Sequence, residues 1–313
     1  MPVRRLCAAL FATLALAGCG TASSGSGSPA GAAAVRPQAA PSGPCGTAAD
    51  ATYRHVVWIW MENRSYDAVI NGTGEAPELG RYADKCGLAT DYHGITHPSL
   101  PNYIAATAGS TLGITTDCAP IDCPRAKSSL FGQVAHAGKG WKGYAESMAS
   151  RCDHAGYGTY APRHNPAVYF TPIAGQCQKR DVPMGGANGR FAHALANGLP
   201  AFSFVTPNLC SDGHDCSTGV ADTWLGTWLD RITSSPAYAA GKTVVFVTWD
   251  ESTGDSPDNH IATVVIAPTV TPGTRVGRTL NHYSLLRTTE QILGLPFLRQ
   301  AKDARSMRGA FGL

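Results

Sequence analysis

Four short apolar runs stand out along the 313-residue chain: His55–Met61, Phe202–Thr206, Thr243–Trp249 and residues 261–267. Each is continuous rather than alternating, rich in β-branched or aromatic side chains, and bounded by turn formers or charges. That is the pattern of a strand buried on both faces. Between the runs the spacing becomes helical over Ser99–Ala108 and over 130–137, 221–232 and 284–293, with Gly109, Gly138 and Gly294 at three of the stops. Strands alternating with helices predict an α/β fold: a central, mostly parallel sheet with helices on both faces. Residues 118–123 and 149–189 follow neither period and are rich in Gly, Pro and polar side chains. Long surface loops are expected there.

The N-terminus departs from this pattern. Arg4 and Arg5 precede an apolar run at 6–16, too short to cross a bilayer but suited to the core of an export signal. The run closes as Leu16-Ala17-Gly18-Cys19, which resembles the lipobox of bacterial lipoproteins. Residues 1–18 are therefore expected to be a lipoprotein-type signal peptide and Cys19 the lipidation site, with plain secretion as the rival. Residues 19–44, almost entirely small residues and proline, cannot bury a core and are expected to form a flexible linker. The folded domain is expected at 45–313, meeting a membrane only through the N-terminal lipid, and as a monomer.

Composition adds limits. With 43% hydrophobic and 15% charged residues, 35 Gly and 21 Pro, the chain is neither a coiled coil nor disordered throughout. Its net charge of +3 falls to +1 without Arg4 and Arg5, so the total implies no nucleic-acid partner. Of ten cysteines, removing Cys7 and Cys19 leaves Cys45, Cys86, Cys118, Cys123, Cys152, Cys177, Cys210 and Cys216. An even set in an exported chain points to disulfides. Eight cysteines allow 105 pairings; pairing in chain order is the expectation, with 118/123 and 210/216 as local staples.

Candidate chemistry gathers where strands stop. The first run is followed by Glu62 and Asn63, and the third by Asp250 and Glu251. Open α/β sheets place their sites at these carboxyl ends. Three carboxylates brought close cannot all stay ionised without a cation, so either an oxygen-rich metal site or separate solvated loop positions is implied. Ser99 opens a helix that has Pro101 in its first turn, in the segment His97-Pro98-Ser99-Leu100-Pro101-Asn102-Tyr103. It is either a nucleophile beside free backbone N–H groups or an ordinary N-cap. No GxSxG elbow occurs, which argues against an α/β-hydrolase. His164, His214 and His260 each lie beside Asp or Asn in polar segments, as imidazoles that contact phosphate oxygens or a leaving group would.

These segments resemble, in order, the bacterial phosphoesterase family of acid phosphatases and phospholipases C, within the alkaline phosphatase-like superfamily. The match runs through 62–65, 97–103, 160–166, Pro207-Asn208, Asp212-Gly213-His214-Asp215, 222–225, Thr248-Trp249-Asp250-Glu251, His282-Tyr283-Ser284 and Gly294-Leu295-Pro296. The resemblance implies an alkaline phosphatase-like fold and one divalent metal cation held by Glu62, Asn63, Asp250 and Glu251. It implies Ser99 as nucleophile, with His97, His164 and His214 as catalytic histidines, and Asn102, Asp212 and His260 on the substrate. The compact length is most similar to the secreted acid phosphatases, some of which act on phosphoinositides; a phosphomonoester is the expected substrate. A phospholipase C-type phosphodiesterase and a non-catalytic surface lipoprotein are the alternatives. A sulfatase is not, because Cys123-Pro124-Arg125 lacks the CxPxR order.

Overall fold

The computed structural model describes residues 43–70, 74–254 and 256–313. The expectations for Cys19, for the signal peptide and for most of the linker lie outside these residues. Nine strands form one mixed sheet: β1 (His55–Met61), β2 (Gly87–His93), β3 (Trp141–Ala145), β4 (Asp181–Pro183), β5 (Phe202–Thr206), β6 (Thr243–Trp249), β7 (His260–Ile266), β8 (Thr274–Val276) and β9 (Leu280–Asn281). Their spatial order is β4-β3-β5-β1-β6-β7-β2-β8, with β9 beside β2. The block from β4 to β6 is parallel, and β7 runs antiparallel to both β6 and β2.

Helices cover both faces. α1 (Pro77–Lys85), α5 (Arg190–Asn197) and α6 (Thr218–Thr233) pack as one layer, while α2 (Ser99–Ala108), α3 (Leu130–His136) and α7 (His282–Leu293) form the other; α4 (Ala174–Arg180) lies against β3 and β4. The mostly parallel α/β sheet expected from the periodicity is the fold observed.

β1 is the centre of the core. Six of its seven residues are buried, as expected for a parallel strand roofed on both faces. Trp58 meets Phe202 edge-on at 5.0 Å, and Trp60 stacks on Phe204 at 5.7 Å. Aromatic pairs of this kind add to the area term of burial, which is itself ~1.5–3 kcal/mol for a large apolar side chain. Trp60 also packs between Tyr103 of α2 and His282 of α7, at 4.8 and 4.7 Å. The strand that delivers Glu62 thus holds the helix that begins with Ser99.

Several local expectations change. β7 starts one residue earlier than its apolar run. α6 starts at Thr218 because Ser217 caps it, its hydroxyl accepting from the Val220 N–H, and α7 starts at His282 through a capping box between Asn281 and Ser284. The expectation of surface loops across 149–189 is corrected: His164, Tyr169, Phe170 and Asp181 are all buried, and α4 and β4 lie within the stretch. Its aromatic run at 168–170 fills the space under α2 and α3, which polar composition had hidden. The disulfides are Cys45–Cys86, Cys118–Cys123, Cys152–Cys177 and Cys210–Cys216, pairing in chain order. They mark an oxidising compartment. No helix among the described residues is long and apolar enough to cross a membrane.

Candidate active site

Adjacent strands β1 and β6 end in register, Met61 opposite Trp249, so Glu62 and Asp250 emerge side by side above the sheet. Both are fully buried. The Asp250 N–H donates to Met61 O, and Asn63 N–H donates to Asp250 Oδ1 at 3.2 Å. Asn63 has a positive φ of 45°, a left-handed conformation that Asn tolerates better than most residues. It turns the carboxamide back to within 3.2 Å of both Glu62 Oε2 and Asp250 Oδ1.

Ser99 is the first residue of α2, and Pro98, not Ser99, holds the N-cap position. The capping alternative is thereby removed: the hydroxyl makes no cap bond and instead donates to Glu62 Oε2 at 3.1 Å, with Glu251 Oε1 at 3.5 Å. The idea that free N–H groups of α2 face a ligand is also amended, because Leu100 N–H is taken by Asp117 Oδ1 at 2.9 Å. One helical turn on, the Tyr103 hydroxyl donates to Glu62 Oε1. His97 Nδ1 lies 2.8 Å from Glu251 Oε2 and its Nε2 3.2 Å from Ser256 O.

The loop after β5 supplies the third carboxylate. Cys210–Cys216 closes it, Asn208 Oδ1 accepts from two of its N–H groups, and Asp212 O accepts from Glu62 N–H. His164 sits between the acids, Nε2 3.4 Å from Glu62 Oε2 and Nδ1 3.4 Å from Asp212 Oδ2, with its ring stacked on Tyr103. At this separation and alignment neither nitrogen is hydrogen-bonded, and Asp212 Oδ2 and Asp250 Oδ2 are buried without partners as well.

The electrostatics follow from that crowding. Burial pushes the Glu62 carboxyl well above the usual range, and Asp250 and Asp212 push it further. Burial likewise raises Asp250 to about 6 and Asp212 to about 7. Burial holds His164 well below its ordinary value, so this imidazole is neutral and can serve as a ligand. Buried carboxylate oxygens facing one another, a neutral imidazole without a hydrogen bond and a carboxamide aimed at two acids are the donor set that suits a cation. Glu62, His164 and Asp212 each offer an atom within 4.8 Å of the others. The residues present fit a divalent metal.

The remaining sequence-derived candidates divide. Glu251 stands between Ser99 and His97. His214 is half-exposed at the mouth, its ring 6.0 Å from that of His164, with Nδ1 2.6 Å from Asp215 Oδ1 and Nε2 3.4 Å from the Arg163 guanidinium. Asn102 is wholly buried and engaged with its own loop: Oδ1 accepts from Ile95 and Thr96 N–H, and Nδ2 donates to Thr96 O and Pro98 O. It shapes the approach to Ser99. His260 makes its contacts outside the cluster, stacking on Tyr66 at 4.5 Å and His93 at 5.3 Å while Nε2 lies 3.0 Å from Thr90 O. Sequence reasoning missed Tyr103, Asp117, Arg163 and His282, whose Nε2 lies 2.7 Å from Asp250 O. Tyr103 carried a readable signal, four residues after Ser99 on the same helix face, and Arg163 and His282 lie within matched segments although no role was read for them.

Comparison with known proteins places this geometry. The sequence model of the Phosphoesterase family matches residues 73–296. The chain is 35% identical over 266 residues to a Mycobacterium tuberculosis phosphatidylinositol-3-phosphatase, covering 83% of this chain and 84% of that one. It is 26% identical over 274 residues to the phosphate-repressible acid phosphatase of Penicillium chrysogenum, covering 85% of this chain and 65% of the fungal one. In fold it is similar to an alkaline phosphatase superfamily protein from Vibrio parahaemolyticus, with a TM-score of 0.58 at 11% identity, covering 83% of this chain and 73% of that one.

Proposed function

The chain belongs to the Phosphoesterase family, and from that premise we propose that it is an exported acid phosphatase whose Ser99 hydroxyl takes up the phosphoryl group of a phosphomonoester, phosphates on inositol lipids among them. The observation that carries this is the Ser99 hydroxyl, buried at the start of α2 and donating to a carboxylate that burial and its neighbours make unusually basic. A serine becomes a nucleophile when such a base takes its proton.

One divalent cation would be held by Glu62, Asn63 and Asp250, with Glu251, Asp212 and His164 at its border, and it would supply Lewis-acid stabilisation of the serine alkoxide. The chain's own residues do the rest. Glu62 Oε2 accepts the proton as Ser99 Oγ bonds to phosphorus, the ester P–O bond breaks opposite, and the departing oxygen takes a proton from solvent on the side of the half-exposed His214. Water then hydrolyses the phosphoseryl bond and the proton returns to Ser99. The Arg163 guanidinium, 3.4 Å from the His214 imidazole, forms the edge against which phosphate oxygens rest. Asp117 holds Arg163 with a 3.6 Å ion pair and caps α2, linking the oxygen-binding edge to the nucleophile's helix.

The test is hydrolysis of para-nitrophenyl phosphate across pH by the wild type, by Ser99→Ala and after chelation. Ser99→Ala is expected to keep the fold and lose at least ~10³-fold in turnover. Chelation should reduce activity, and a divalent cation should restore it. Near-normal turnover in the variant removes the nucleophile assignment, and cleavage of para-nitrophenyl phosphorylcholine in place of the monoester removes the monoesterase.

A further inference from the structure

The edge of the sheet beyond β3 carries a concentration of positive charge. Lys142 on β3, Arg151 in the loop that follows, Lys179 and Arg180 at the end of α4, and Arg190 at the start of α5 converge there. Lys142 Nζ donates to Lys179 O at 2.6 Å, and Arg151 and Arg180 donate to the Gln178 and Trp141 carbonyls. The cations are thus held in place by backbone oxygens rather than by acids. Arginine ion pairs among the described residues belong to Arg81, Arg163 and Arg275 instead. Lys142 is held below its ordinary value first by burial and then by the four neighbouring cations. Two acids lie nearby, Asp181, fully buried on β4, and Asp153, which accepts from Ser150 Oγ and Ala155 N–H, and the five cations outnumber them.

Lys142, Arg180 and Arg190 border an open groove of about 620 Å³ between β3 and α5. Its charged groups are spread over separate elements, and Arg151, Lys179 and Arg190 are exposed. No charged side chain lies buried and aimed into the groove, as a closed cage for one small anion requires. We propose that this basic edge is a docking surface for the anionic face of a phospholipid bilayer. Charge complementarity carries the assignment, and the breadth of the patch selects a surface over a discrete anion. The lipobox-like segment ending at Cys19 favours a bilayer over a soluble polyanion. The inference goes beyond the phosphatase assignment and does not depend on it, so either can fail alone.

The experiment is co-sedimentation of the full chain carrying Cys19→Ala, so that no acyl group at that position contributes. Vesicles of phosphatidylcholine alone, which measure any contribution of the apolar run at 6–16, are compared with vesicles containing phosphatidylglycerol. The chain should bind the anionic vesicles preferentially at low salt and leave them at high salt. Lys179→Glu with Arg190→Glu, both exposed, should lower that partitioning by about 25-fold or more, at about fivefold for each cation lost, with unchanged melting and unchanged hydrolysis of para-nitrophenyl phosphate. Equal binding to both vesicle types, anionic binding that the double variant retains, or capture by soluble heparin without capture by vesicles each overturns the proposal. Loss of monoester hydrolysis in the wild type would instead count against the phosphatase assignment and leave the vesicle result standing.

Discussion

Asp181→Asn should become increasingly stabilising as pH rises from ~4 to ~8. Asp181 lies on β4 opposite Gly143 of β3, with no exposed surface. Its Oδ2 accepts from Asn165 Nδ2 at 2.8 Å, whereas Oδ1 has no partner. Oδ1 fills the space where a β-carbon on Gly143 would lie 2.4 Å away, so the glycine exists to admit the carboxyl. Burial raises its pKa from 3.8 to about 7, against a smaller opposing effect of the Asn165 hydrogen bond. A folded-state pKa above the unfolded one means stability that is complete below pH ~4 and lost as pH rises through about 7. A shift of this size corresponds to ~4 kcal/mol at full ionisation. Asn cannot ionise, but its NH₂ would inherit the unpaired position, at a cost of ~1–3 kcal/mol. The protonated acid leaves a similar group unpaired, so the two proteins should be nearly level near pH 4. By pH 8 the variant should be more stable by ~4 kcal/mol. Urea unfolding of both proteins at several pH values gives this difference directly, since other titrating groups cancel between them. A difference that does not change with pH, or a variant less stable at pH 8, would refute the account of Asp181 as a buried, desolvated carboxylate.

Two further outcomes separate neighbours of the site from the site itself. His260→Ala should leave para-nitrophenyl phosphate turnover within about twofold while lowering stability slightly through the lost stacking on Tyr66 and His93; a tenfold loss of kcat would return His260 to the catalytic set. Replacing Cys210 and Cys216 by Ser should cost about 2 kcal/mol by the loop-closure estimate and lower kcat/KM, because Asp212 and His214 sit inside the closed loop. Unchanged kinetics would show that Asn208 and the Glu62 N–H hold the loop without the disulfide.

The parts of the fold that could be read from sequence are those buried on both sides. β1, β5, β6 and β7 appear as unbroken apolar runs because central strands covered on both faces have no solvent face, β7 among them although it runs antiparallel to its neighbours. β3 reads WKGYA and β4 reads DVP, and each takes its place from the strand beside it rather than from any pattern of its own. α1 was also missed, although Pro77 opens it and Leu79, Tyr82 and Ala83 lie at helical spacing; at nine residues the period is short.

By itself, the sequence determined the α/β class, the parallel centre and the phosphoesterase motifs, since each is a property of neighbouring residues or of their order; which of the 105 cysteine pairings forms was settled by the fold. Only the tertiary structure decided how those residues meet. The register of β1 on β6 sets Glu62 beside Asp250, and Trp60 against Tyr103 and His282 brings α2 over them. A stapled loop then adds Asp212, and the buried 160–170 segment adds His164. Distances of 3 to 4 Å between groups many residues apart are consequences of packing, and it is at those distances that burial and like charge raise the Glu62 carboxyl well above its usual range beside the Ser99 hydroxyl.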